Sequence, residues 1–162
     1  MPTMSVRFAE PSDVPEILAM IKELAEYEKE PDAVVATEDL LHVALFGDNP
    51  AVFALVAVVD GAAVGFALWF RNFSTWLGRH GIYLEDLYVR PEFRGRGIGK
   101  QLLVELARIC EDRDYGRLEW WVLDWNTPAW DFYESVGAIP MSEWTVHRVT
   151  GDALRSLAQE DR

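Results

Sequence analysis

Apolar residues along this chain change period several times, and each change marks an element. "SVRF" at 5–8 reads as a first strand. In the stretch that follows, Ile17, Leu18, Ile21, Leu24 and Ala25 fall on one helical face. Ser12 or Asp13 can cap this helix, Pro15 suits its first turn, and it should fade before Pro31. "TEDLLHVALFG" predicts a second helix, capped by Thr37 and closed by Gly47. Two continuous apolar runs, "AVFALVAVV" and "AAVGFALWF", then flank Asp60-Gly61. That arrangement predicts a hairpin whose strands are covered on both faces. Next come a strand from about Ile82 to Val89, a helix from about Gly97 to Arg113, and a strand in "RLEWWVL". "NTPAWDFYESVG" carries a cap at Thr127, a proline at the first helical position and a stop at Gly137. "AIPMSEWTVHRV" should hold one or two closing strands, and "TGDALRSLAQE" a terminal helix. The order β-α-α-β-β-β-α-β-α-β, without repeat or linker, predicts one α/β domain over 1–162 with a mixed sheet flanked by helices.

Composition narrows the function classes. Twenty-seven acidic residues against 15 basic ones give a formal charge of −12, so phosphate backbones are repelled and nucleic acid is a poor partner. The excess favours a cationic partner, although solubility or a salt-adapted host produces the same bias. No apolar run is long and uncharged enough to span a membrane, and the first residues lack the apolar core of a signal peptide. Cys110 is the only cysteine, so no intrachain disulfide forms and a reducing cytoplasm is the simplest location. Its helical spacing with Leu102, Leu103 and Leu106 reads as core. His42, His80 and His147 are scattered, and no metal site is indicated.

The segment "YLEDLYVRPEFRGRGIGKQLL" places a glycine-rich turn between a strand and a helix. The Rossmann pattern fails because Lys100 stands at its last glycine position. The Walker pattern fails at Arg94 and at Gln101. What remains is R-x-x-G-x-G, with Arg94, Gly97 and Gly99 at its defined positions. Glycines bring main-chain N–H groups close to a ligand, and the helix that follows adds unpaired N–H groups and the positive end of its dipole. Arg94, Arg96 and Lys100 form a local basic cluster in an acidic chain. The segment therefore reads as a phosphate site; the plainer alternative is a turn with solvated arginines.

This spacing resembles the acyl-CoA loop of the GNAT superfamily of N-acetyltransferases. With "IKELAEYEKE", "STWLG", "YLEDLYV", "RGRGIG" and "NTPAWDFYESVGA", the resemblance extends from about Val6 to Leu157. It is closest to the diamine and polyamine (spermidine/spermine) N-acetyltransferases and their thialysine-acetylating relatives. It implies the GNAT fold, acetyl-CoA as acyl donor, no metal, and subunits paired as a homodimer. It implies donor contacts from Leu87, Tyr88 and Val89, from the loop Arg94, Gly95, Arg96, Gly97, Ile98, Gly99 and Lys100, and from Asn126. Asn126 read on its own is a turn or cap residue.

Amide formation needs a neutral amine, yet alkyl amines are protonated at neutral pH, so a base must take a proton. The resemblance implies Glu85 in that role, through ordered water. Asp86 follows it; in a regular strand adjacent side chains oppose one another, and only a bulge lets both approach one cleft. The resemblance implies such a bulge, and Asp86 reads equally as a structural carboxylate on the far face. Tyr133 matches the family tyrosine that protonates the departing thiolate; its plain reading is a core aromatic beside Phe132. Acceptor contacts are implied for Tyr27, Glu28, Trp76, Glu85, Asp86 and Glu143, while Glu23, Glu26 and Glu30 read as solvated. The expected reaction is acetyl transfer to a small cationic amine: a diamine, a polyamine or a lysine-like amino acid. Acetylation of a protein lysine or N-terminus, and a noncatalytic acyl-CoA-binding module, are the rival readings.

Overall fold

The computed structural model of the chain describes residues 3–160. Five strands lie side by side in chain order: β1 (Met4–Phe8), β2 (Val52–Val59), β3 (Ala62–Ser74), β4 (Arg79–Val89) and β5 (Leu118–Trp120). The first four pair antiparallel and β5 joins β4 in parallel, which makes the sheet mixed. Asp60 and Gly61 both take positive φ, 49° and 83°, the geometry of the tight turn expected between β2 and β3. The chain divides at Leu123/Asp124 into two compact units.

In the first unit, α1 (Val14–Tyr27) and α2 (Glu38–Phe46) cover one face of the sheet. Ile17 and Met20 of α1 pack with Val56, Phe66, Leu68 and Tyr88. The alternating strand positions Leu55, Ala57, Ala67 and Trp69 are equally buried and belong to the opposite face. There α3 (Ile98–Asp112) buries Ile98, Leu102, Leu103, Leu106 and Cys110. Burying each leucine is worth about 1.5–3 kcal/mol. The thiol therefore sits in core, as its spacing predicts.

Local chemistry sets the helix starts. Thr37 Oγ1 accepts from Leu40 N–H at 3.2 Å and caps α2. Asp13 precedes α1 but spends its carboxylate elsewhere. It accepts from Glu10 N–H at 2.7 Å and from both terminal nitrogens of Arg7, at 2.7 and 3.1 Å, tying β1 to the start of the helix. Gly47 closes α2 without a left-handed turn; a Cβ there would lie 2.5 Å from the Val43 carbonyl oxygen.

Four expectations are corrected. The hairpin of β3 and β4 runs well past the apolar runs, to Ser74 and back from Arg79. The polar residues Arg71, Asn72 and Ser74 hide this in the sequence, but ladder pairing needs only backbone, and Asn72 Nδ2 donates to Glu119 Oε1 at 2.7 Å. Strand β5 keeps only three of the seven residues expected. Ala138–Val149 forms no strand among the described residues. Among the described residues, the second unit holds α4 (Thr127–Ser135) and α5 (Gly151–Ala158) and no strand with which that segment could pair. Asn126 rather than Thr127 stands at the N-cap position of its first helix, without a side-chain capping bond, and Pro128 is the second helical residue.

Candidate active site on strand β4

The register between β3 and β4 slips once. Leu68 pairs with Asp86 and Trp69 with Leu84, so Glu85 is an extra residue on β4. A bulge of this kind interrupts strict alternation and re-aims the side chains beside it. The electrostatics show the result. Asp86 is half-buried, and its carboxyl is pushed up from an ordinary 3.8 to about 7, by burial first and then by the charges of Glu85 and Glu28. Glu28, which ends α1, is raised by burial and by Glu85. The structure thus brings Glu28, Glu85 and Asp86 within mutual electrostatic reach. Each repels its neighbours' negative charge, and a cation placed among them relieves that repulsion.

The same bulge coincides with an opening in the sheet. Strand β5 pairs with Ile82, Tyr83 and Leu84 and then leaves, so β4 beyond Leu84 is laddered only to β3. Arg90 N–H donates to the Val64 carbonyl oxygen on β3 at 2.8 Å, which fixes the phase of the antiparallel ladder. By alternation, Leu87 and Val89 turn their main-chain groups toward the open side. The Val89 carbonyl oxygen is engaged there by Arg94 Nε at 2.8 Å. Tyr88 faces inward and is buried.

Beyond β4, Gly95 and Gly97 each hold φ at 78°, in the left-handed region, with open space where a Cβ would stand. Conformation, not crowding, demands glycine at both. Gly97 is the N-cap of α3 and supplies no side chain to it. The first intrahelical bond runs from Gln101 N–H to the Gly97 carbonyl oxygen, leaving the N–H groups of Ile98, Gly99 and Lys100 without intrahelical acceptors. No acidic residue occupies this first turn, and the Lys100 side chain is exposed beside it. Main-chain donors, a helix dipole and a lysine fit the phosphates of an acyl-CoA. Arg96 lies over the Phe93 ring, 5.2 Å from its centre, and donates to the Glu92 carbonyl oxygen. The Arg94 guanidinium folds back, 5.5 Å from the centre of the Tyr27 ring and 5.4 Å from that of Tyr88.

One cluster escapes the sequence reading. Glu23, expected to be solvated, accepts from Tyr88 Oη at 3.3 Å and from Arg90 Nε and a terminal nitrogen at 3.3 and 3.2 Å. Arg90 also pairs with Glu16 at 2.9 Å and donates to the Ala63 carbonyl oxygen at 3.1 Å. The seven-residue interval between Glu16 and Glu23 puts both on one face of α1, which is the signal that could have found them.

Not every candidate joins this group. Trp76 stands in the turn between β3 and β4 and is 90% exposed. Glu85 lies six positions along β4 from Arg79, about 20 Å of backbone, so Trp76 is not brought to the carboxylates. Asn126, Tyr133 and Glu143 belong to the second unit: Asn126 stands at the N-cap position of α4, Tyr133 lies on it beside Phe132, and Glu143 is exposed in the turn that bonds Trp144 N–H to the Met141 carbonyl oxygen. Among the described residues, no group of three or more His, Cys, Asp and Glu side chains is arranged to hold a metal ion, and no helix is long and apolar enough to cross a membrane.

Comparison with known proteins agrees with this geometry. The profile of the Acetyltransferase (GNAT) family matches residues 16–138. A thialysine N-epsilon-acetyltransferase of Bos taurus is 40% identical over 98% of this chain and 99% of its own length. The L-ornithine N5-acetyltransferase NATA1 of Arabidopsis thaliana is 30% identical over 94% of this chain and 86% of its own. Among solved structures, the V. cholerae integron cassette protein VCH_CASS6 superposes with a TM-score of 0.81 at 28% identity, over 97% of this chain and 98% of that one.

Proposed function

The chain belongs to the acetyltransferase (GNAT) family, and from that premise we propose that it transfers the acetyl group of acetyl-CoA to an amino group of a small cationic amine. The acceptor class is a diamine, a polyamine or a lysine-like amino acid. The observation that carries this reading is the coupled set Glu28, Glu85 and Asp86 beside the bulge of β4, on the strand that leads into the glycine loop. A cationic acceptor neutralises that set, and the loop's N–H groups hold the donor's phosphates a few residues away. The names of the similar proteins, a thialysine and an ornithine acetyltransferase, favour the same acceptor class.

In this mechanism Glu85 takes the ammonium proton through water. The neutral amine forms a C–N bond to the thioester carbonyl, the C–S bond breaks, Tyr133 delivers a proton to the leaving sulfur, and the nitrogen's excess proton passes through water to restore the phenol. The supports are Glu85's place at the bulge and Tyr133's place in the N-x-P-x-x-x-F-Y pattern of α4. Leu87 and Val89 offer main-chain groups to the pantetheine arm, with the Val89 carbonyl shared with Arg94. Tyr27 and Glu28 hold the acceptor's second charge. Subunits pair as a homodimer.

The test is release of CoA thiol from acetyl-CoA across spermidine, spermine, short diamines, lysine, ornithine, thialysine and a lysine peptide. A free cationic amine should exceed the peptide by at least about tenfold in kcat/KM, the scale of one well-placed ionic contact. A peptide turned over faster than every free amine overturns the acceptor assignment.

A further inference from the structure

Two arginines from the connection between β4 and α3 engage one side of α1. Arg90, just past β4, holds Glu16 at 2.9 Å and Glu23 at 3.2 Å. Arg94, which opens the glycine loop, sets its guanidinium 5.5 Å from the centre of the Tyr27 ring, four residues beyond Glu23. Glu16, Glu23 and Tyr27 are therefore gripped in sequence, and the next residue after Tyr27 is Glu28. Arg94 is held from the strand side as well, by the Val89 carbonyl oxygen at 2.8 Å and by the Tyr88 ring. Its planar cation thus spans three elements: the strand edge, the glycine loop and the last turn of α1. The helix ends directly after that turn, where Lys29 takes a positive φ of 66°.

We propose that Arg94 is a positioning residue that joins the donor loop to the acceptor end of α1, so that CoA bound at the loop stiffens the Tyr27–Glu28 turn and tightens amine binding. The inference rests on the donor and acceptor reading above. It assigns Arg94 a task apart from direct phosphate contact, since its Nε is engaged with Val89 and its plane with two aromatic rings. Lysine keeps the charge but not the planar stacking or the Nε donor.

Amide hydrogen exchange of the full chain with and without coenzyme A tests the link without any amine. In the wild type, coenzyme A should slow exchange both in the loop 94–100 and in the α1 turn at 26–30. In Arg94→Lys and in Tyr27→Leu, the loop should still be protected while the turn no longer responds. Slowing confined to the loop in the wild type, or an unchanged response of the turn in both variants, overturns the proposal. A loop that coenzyme A fails to protect overturns the donor-site reading and this inference with it.

Amine affinity supplies the second measurement, by titration of the accepted amine into the CoA-bound protein. Each single variant should weaken binding about 2- to 5-fold, the scale of an exposed cation–π contact. The double variant should be no weaker than the weaker single one. Multiplying effects would mean that the two residues act separately. An absence of amine binding in the wild type, with the exchange response intact, would remove the acceptor assignment and leave the mechanical link standing.

Discussion

Replacing Asp86 with asparagine isolates the electrostatic tension at the candidate site. The carboxyl is raised from 3.8 to about 7 in the folded chain, by burial and by the charges of Glu85 and Glu28. A carboxyl whose folded value exceeds its unfolded value binds its proton more tightly when folded. Stability therefore falls as pH rises from about 4, and the loss is complete above about pH 7. Three pH units of mismatch correspond to about 4 kcal/mol at full ionisation, since each unit is worth about 1.4 kcal/mol. About 1.6 kcal/mol of that is already present at pH 5, so the change between pH 5 and pH 8 is roughly 2.5 kcal/mol. For a chain of this size, each kcal/mol moves Tm by about 2–4 °C.

The amide side chain keeps the shape of the carboxyl and cannot ionise. Asp86→Asn should therefore gain stability over the wild type progressively with pH, with a Tm difference about 5–10 °C larger at pH 8 than at pH 5. Thermal unfolding of both proteins in matched low-salt buffers reads this directly. A saturating diamine should close much of the gap at pH 8, because the bound cation stabilises the charged wild-type carboxyl and has less to gain from the amide. A Tm difference that stays constant between pH 5 and pH 8 would refute the coupling, and a diamine effect equal in both proteins would separate Asp86 from the acceptor.

Tyr133→Phe should lower kcat about 100- to 10,000-fold with little change in acetyl-CoA affinity, measured by steady-state kinetics and calorimetry; near-normal turnover would remove Tyr133 as the acid. Glu85→Gln should lower kcat/KM most strongly at low pH, where amine deprotonation is hardest, and an unchanged pH profile would remove it as the base. Gly97→Ala forces a left-handed backbone at φ 78° onto a residue with a Cβ, so it should cost about 1–2 kcal/mol and weaken CoA binding, read by denaturant melts and titration. Asp13→Asn should destabilise by about 2–3 kcal/mol at pH 7. Burial opposes the Asp13 charge, but Arg7 and Glu10 N–H outweigh it and hold the carboxyl below its ordinary range. Their contribution is present above that range and disappears as pH falls through it, so the two proteins should converge in acid melts.

Much of this organisation is legible in the residues because local chemistry determines it. Asp60-Gly61 makes a tight turn wherever two apolar runs flank it, Thr37 finds the third N–H of its helix without help, and Gly97 marks where α3 begins. The candidate loop follows from glycine spacing for the same reason: its function depends on backbone conformation, which sequence controls at short range. The features that stay hidden depend on pairing. Arg71, Asn72 and Ser74 look like the end of a strand, yet the ladder with Gly81, His80 and Arg79 continues it. The bulge at Glu85 is a difference of one residue between two strands; the family resemblance implies it and the ladder shows it, but neither strand reveals it alone. Glu23 reads as solvent-facing until Arg90 and Tyr88 arrive from 65 residues away or more.

The bulge and the opening of the sheet serve a single end. A regular strand would send Glu85 and Asp86 to opposite faces of the sheet, and a fully paired β4 would offer no main-chain group to a donor. One inserted residue at 85 re-aims the carboxylates, and the departure of β5 after Leu84 uncovers the edge at the same place. The acid groups proposed to hold the acceptor and the strand edge proposed to receive the donor's pantetheine arm thereby become neighbours on one strand. The cost of gathering negative charge there is visible in the raised carboxyls of Asp86 and Glu28. In the proposed reaction a cationic amine would release that stored repulsion on binding, so the acceptor would be selected for charge before shape.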